Sequence, residues 1–135
     1  MNRMNTRTVL AVFSSVVCLW LVLSTAACFA GETVEPGRAV LDKLLKAIEA
    51  NDYDAVVAVD GTDGFKAVLT KESLTGASTQ LSPRMKKGYQ CLYLGELKQH
   101  GTRVLLWKLV FKDGSDDTLA RLVLKDGKVA GFGLQ

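Results

Sequence analysis

The sequence has almost nothing with which to hold a transition metal or build a disulfide framework. There is one histidine, His100, and three cysteines, two of which (Cys18 and Cys28) fall in the first thirty residues. A structural zinc site needs about four His or Cys ligands, so no such cluster is expected. Cys91 alone closes no internal disulfide. Asp52, Asp54, Asp60 and Asp63 lack the alternating spacing and closing Glu of a calcium-binding EF-hand loop. Capping and turn formation account for them instead. No Gly-x-Ser-x-Gly elbow, phosphate-binding loop or dinucleotide fingerprint occurs. The reading is therefore of no cofactor, no metal and no catalytic residue.

Charge of one sign is also missing. Arg3 and Arg7 precede an apolar run from Val9 to Leu23, relieved only by Ser14 and Ser15. Small residues follow, and no acid appears before Glu32. This pattern predicts a secretory signal peptide over residues 1–30, with an apolar run shorter than the roughly 20 residues of a spanning helix. Cleavage is expected after Ala30. The alternative is a lipoprotein acylated at Cys28, since Thr25-Ala26-Ala27-Cys28 resembles a bacterial lipobox with Thr in place of the preferred Leu. Loss of the leader takes two of 17 basic residues and none of the 14 acidic ones, leaving 15 against 14. A chain so balanced offers no general attraction for nucleic acid, and no membrane span is expected once the leader is gone.

What remains is one domain, 31–135, with an ordered pattern. Val40, Leu41, Leu44, Leu45 and Ile48 form one stripe of an amphipathic helix. Asn51-Asp52 ends it and caps a brief helix over Tyr53–Val59. Short helices are expected around Phe65–Leu69 and Leu74–Leu81, the last closed by Pro83. From Tyr89 the chain reads as four strands joined at His100-Gly101, Asp113-Gly114 and Asp126-Gly127, pairs suited to hairpin turns. The expected fold is α+β: an N-terminal amphipathic helix and short helices packed on a C-terminal four-stranded antiparallel curved meander.

Uninterrupted ladders centred on those turns pair Leu94 with Trp107, Leu92 with Leu109, Trp107 with Leu122, Leu109 with Ala120, Leu122 with Gly131 and Ala120 with Gly133. The expected core face is then Leu92, Leu94, Leu105, Trp107, Leu109, Phe111, Ala120, Leu122, Leu124 and Val129. The other face carries Tyr93, Lys108, Arg121 and Phe132 in one row, surrounded by Cys91, Leu97, Leu106, Val110, Leu119, Val123 and Leu134. Two cations flanked by aromatic rings offer cation–π contacts to a ligand or partner, although side chains that snorkel into water account for the same pattern. These four residues are the candidate binding site. So apolar an outer face predicts a covering: a second subunit, a partner protein or the middle helices. His100 falls at a hairpin tip, away from any pocket. Cys91 reads as a packed thiol, and Arg84, Lys86 and Lys87 as a solvated helix end.

Ala47-Ile48-Glu49-Ala50-Asn51-Asp52-Tyr53-Asp54-Ala55 looks like the junction between helix and Asn/Gly-Asp-Tyr of the NTF2-like superfamily (cystatin-like fold), and Lys125-Asp126-Gly127-Lys128-Val129-Ala130-Gly131-Phe132 resembles its closing strand. The likeness is greatest to the small exported bacterial members. It implies a helix inside a curved sheet beside a pocket, and a homodimer through the sheet's outer face. Enzymatic members carry a His–Asp pair or an acidic base in the pocket, which this sequence lacks. The function expected is an exported, non-catalytic binding or assembly module of the bacterial envelope, periplasmic or secreted. A small ligand or an envelope protein is its possible partner. The alternatives are a small enzyme of isomerase or hydrolase type, using Tyr53 and an acid at the pocket mouth, or a periplasmic inhibitor.

Overall fold

A computed structural model of the chain describes residues 35–135. The leader, both expected cleavage sites, Cys18 and Cys28 lie outside the described residues. Four helices precede four strands: α1 (Arg38–Ala50), α2 (Tyr53–Val57), α3 (Asp63–Val68) and α4 (Lys71–Lys86), then β1 (Tyr89–Gln99), β2 (Thr102–Phe111), β3 (Thr118–Lys125) and β4 (Lys128–Leu134). The strands form one antiparallel sheet in the order β1-β2-β3-β4. The α+β architecture expected from the pattern is the one observed.

α1 begins where Gly37 takes a left-handed conformation (φ 72°). A Cβ at Gly37 would lie 2.6 Å from Leu105 Cδ1, so only glycine lets the helix start this close to the sheet. Its stripe Leu41, Leu44, Leu45 and Ile48 is buried against Leu105, Trp107, Leu109, Phe111, Ala120 and Leu122. Asn51 ends α1 in the left-handed region, with its N–H on the carbonyls of Ala47 and Ile48. Asp52 then caps α2 by accepting from Ala55 N at 3.0 Å. α4 differs from expectation, because it runs through Pro83 to Lys86. Pro83 falls in the final turn, where it removes one helical hydrogen bond, the one an N–H at this position would give to the Thr79 carbonyl, without ending the helix. Leu81 and Met85, buried on either side, keep that turn docked. The Ser82 hydroxyl donates to Glu49 O at 2.8 Å and ties α4 to α1.

The sheet's register is where expectation and structure part. The first and third hairpins pair as predicted close to their turns: Gln99 with Thr102, Glu96 with Leu105, and Lys125 with Lys128. Each ladder then meets a bulge. In β1 the pairing jumps between Tyr93 and Gly95, leaving Leu94 unpaired. Gly95, at φ 150°, takes a backbone conformation that side chains disfavour. In β4 Ala130 is the extra residue, since Leu124 pairs with Val129 but Val123 pairs with Gly131. One inserted residue turns every later side chain to the opposite face. The second hairpin has a longer loop than predicted, 112–117, which slides the ladder by two residues and preserves the faces: Trp107 meets Ala120 and Leu105 meets Leu122.

Candidate functional site

The bulges divide the expected binding row. Tyr93 pairs with Trp107 on the inner face, the rings 5.5 Å apart. Phe132 pairs with Leu122, also inside. Cys91 and Leu134 move inward with them and pack against the core. Leu92 and Leu94, expected in the core, move outward and are 45% and 56% exposed. Lys108 and Arg121 stay on the outer face but are no longer direct neighbours. Lys108 pairs with Leu119, and Arg121 with Leu106. The expected ring-flanked cation pair is thereby replaced. Lys108 Nζ finds its counter-charge in Asp117 Oδ2, 3.0 Å away, while Arg121 is exposed.

The outer face that results is aliphatic. Leu92, Leu94 and Leu97 (49% exposed) lie along edge strand β1, and half-buried Leu106, Val110, Leu119 and Val123 continue the surface across β2 and β3.

On the inner side, the space under α1 is full: Trp107 is 0% exposed. Its indole N–H donates to Glu35 Oε2 at 3.1 Å. The same carboxylate meets Arg38 Nη1 at 3.0 Å, and Arg38 Nε reaches Asp42 Oδ1 at 2.9 Å. Burial opposes the Arg38 charge, but its hydrogen bonds to Asp42 and Glu35 prevail and raise its pKa. Arg38 also donates to the Cys91 carbonyl at 3.4 Å. Burial, only partly offset by Arg38, pushes the Cys91 thiol up to about 11. That keeps it protonated and poorly nucleophilic. This group locks the start of α1 over the centre of the sheet.

Empty space lies instead at the β4 end. A cavity of about 220 Å³ opens between β4 and the helices, lined by Leu44, Ile48, Val56, Phe65, Phe132 and Leu134, with Ala77, Leu69, Leu74, Gly133 and Ser73 completing it. No titratable side chain is among these residues. Tyr53, proposed above at a pocket mouth, donates its hydroxyl to Leu69 O at 3.2 Å and so buttresses the wall from outside. The flip of Phe132 is what brings its ring into the cavity, a placement that period-two reasoning missed.

The remaining candidates have structural roles. His100 lies at the exposed tip of the first hairpin. The Arg84 guanidinium stacks on Phe111, 3.9 Å from the ring centroid, and donates to Ser115 Oγ at 2.8 Å and to the Asp116 carbonyl. It thereby fastens the loop after β2 to α4. Among the described residues no helix is long and apolar enough to cross a membrane, and no group of three or more His, Cys, Asp and Glu is placed to hold a metal ion.

No protein-family model matches the chain, and no curated protein matches it. Among solved structures it is similar to an uncharacterized cystatin-fold protein from Novosphingobium aromaticivorans. The two share 15% identity with a TM-score of 0.36, over 72% of this chain and 95% of that one.

Proposed function

We propose that the protein is an exported, non-catalytic assembly module of the bacterial envelope, NTF2-like in kind, that pairs with a second copy of itself through the outer face of its sheet. The observation that carries this reading is the row of exposed leucines on β1, 45% to 56% accessible, continued by aliphatic side chains on β2 and β3. Isolated surface leucines need no explanation, but a contiguous patch does. A second copy suits the charges as well as the leucines. Among the described residues Arg121 makes no ion pair, and Asp117 lies beside Lys108 on the same face, so an isologous contact that brings Arg121 toward the Asp117 of the other copy would join their charges.

The dimensions set the strength. Four strands about 4.8 Å apart, each some eight residues long at about 3.3 Å, present a projected area on the order of 500 Å². Two copies bury about 1,000 Å², the lower limit of a specific interface. The dimer is accordingly expected to be reversible, with a dissociation constant in the micromolar range. Sedimentation of the exported chain over a concentration series tests this. Self-association abolished by Leu94→Lys with Leu97→Lys supports the proposal. A strict monomer at every concentration, or a dimer indifferent to both substitutions, overturns it.

A further inference from the structure

We infer that the cavity between β4 and the helices is a binding site for a compact neutral amphiphile: one ring or a short alkyl chain, bearing a hydroxyl or amide. The inference is independent of self-association, which uses the opposite side of the sheet.

Size gives the first limit. At about 220 Å³ the cavity is larger than the roughly 150 Å³ apolar void that stays dry and admits benzene. It is smaller than the roughly 300 Å³ at which drug-sized pockets begin. The pocket is partly open to solvent rather than sealed in the interior, so its apolar wall is accessible to a ligand of this size. The space persists among large side chains, Phe65 and Phe132, that face it from α3 and β4 without closing it.

The wall sets the chemistry. Its side chains are aliphatic or aromatic except for Ser73, whose hydroxyl is engaged with Thr70, donating to the carbonyl at 2.8 Å. No Lys, Arg or His lines the space. The nearby Lys71 ammonium sits over the Tyr53 ring instead, 5.6 Å from its centroid. A carboxylate entering the cavity would lose its hydration with no counter-charge to replace it, so the ligand is neutral.

The polar end is supplied by backbone. Gln135 exchanges both its hydrogen bonds with Leu119. Alternation along an antiparallel ladder then turns Gly133 and Gly131 toward β3, and the N–H and C=O groups of Phe132 and Leu134 toward the open edge. Lower on the same edge, Val129 shows that these groups take partners when offered. Its N–H donates to Asp60 O at 2.9 Å and its carbonyl accepts from Thr62 N at 2.8 Å. Beyond that point no described backbone group continues the pairing. The strand edge therefore presents a donor and an acceptor at the cavity wall, suited to a hydroxyl or amide whose apolar body fills the space.

Amide chemical shifts of the exported chain, titrated separately with hexan-1-ol, phenol and ionised hexanoate, test the inference. Saturable shifts at Phe65, Phe132 and Leu134 are expected for the alcohol or the phenol, with hexanoate roughly tenfold weaker or more. Ala77→Phe fills the cavity and should abolish them while leaving the β1 and β2 resonances in place. Should that variant not fold, Val56→Phe blocks from the opposite wall. Absence of saturable shifts up to the solubility of each neutral probe overturns the site. So does unchanged affinity in a folded blocked variant, and equal binding of hexanoate overturns the ligand class.

Discussion

The β1 bulge makes neighbouring residues exchange roles, and two substitutions to the same amino acid measure it. Tyr93→Thr removes a half-buried ring packed at a tilt against Trp107, 5.5 Å between centroids. Leu94→Thr removes a side chain that is 56% exposed. Threonine suits a strand in both places, so the difference reports the face rather than the backbone. For Tyr93, losing about half the burial of a large side chain costs about 1–1.5 kcal/mol. The lost ring pair adds roughly 0.5–1.5 kcal/mol. A total of about 1.5–3 kcal/mol lowers Tm by about 6–24 °C at this chain length. For Leu94 the change stays within about 0.5 kcal/mol, as for other surface positions. Calorimetry at a concentration low enough to keep the chain monomeric separates the folding term from self-association. An uninterrupted ladder would reverse the order, with Leu94 in the core. Leu94→Thr proving the more damaging of the two would refute the bulge and the faces drawn from it.

Gly37→Ala should cost roughly 1–2 kcal/mol for the left-handed backbone alone and more for the 2.6 Å approach to Leu105, read as a lowered urea midpoint at unchanged m-value. Cys91 should react with an aromatic disulfide reagent at pH 8 far more slowly than a free thiol does, and at the free-thiol rate in urea. Because burial raises its folded pKa to about 11, its contribution to stability is complete below the unfolded value of about 8.5 and is lost as pH rises toward 11. Asp113 shows the opposite sign. The Ser115 hydroxyl and N–H, both donating to its carboxylate, hold its pKa below the usual range. Its contribution is present above the ordinary carboxylate pKa and lost as pH falls through the lowered one. Ser115→Ala should raise the Asp113 pKa in a carboxyl-carbon NMR titration.

Helix existence, strand number and turn positions were legible because each had its own local signal. The α1 stripe has helical period, Asp52 precedes a helix, and His100-Gly101 and Asp126-Gly127 adopt the positive φ expected at hairpin turns. Register failed farther from the turns for a reason internal to the sequence. Alternation sets the phase of a strand only when its two faces differ in polarity, and Cys91-Leu92-Tyr93-Leu94 is apolar at every position. Nothing in such a run distinguishes one phase from the other. The glycines at or beside the bulges, Gly95 and Gly131, were the sole local hint. The cavity had no local signal beyond the pocket that the family resemblance implied, since its wall is assembled from four helices, Leu69 between two of them, and the final strand.

Those two bulges also bear on the kind of partner proposed for the outer face. With Tyr93 and Phe132 on the outer face, Lys108 and Arg121 would stand between aromatic rings, an arrangement suited to a small anion or an acidic peptide. With both rings turned inward, the outer face keeps leucine and valine, and one of its two cations is already paired with Asp117. An aliphatic surface of this kind has little with which to orient a small polar ligand, because it offers few directed hydrogen bonds. It has much to gain from another aliphatic surface, where affinity follows area and shape. The same inward turn of Phe132 supplies the ring that lines the cavity. The bulge in β4 thus places the proposed small-molecule site and the proposed self-association face on opposite sides of one sheet, so a substitution that abolishes one is expected to spare the other.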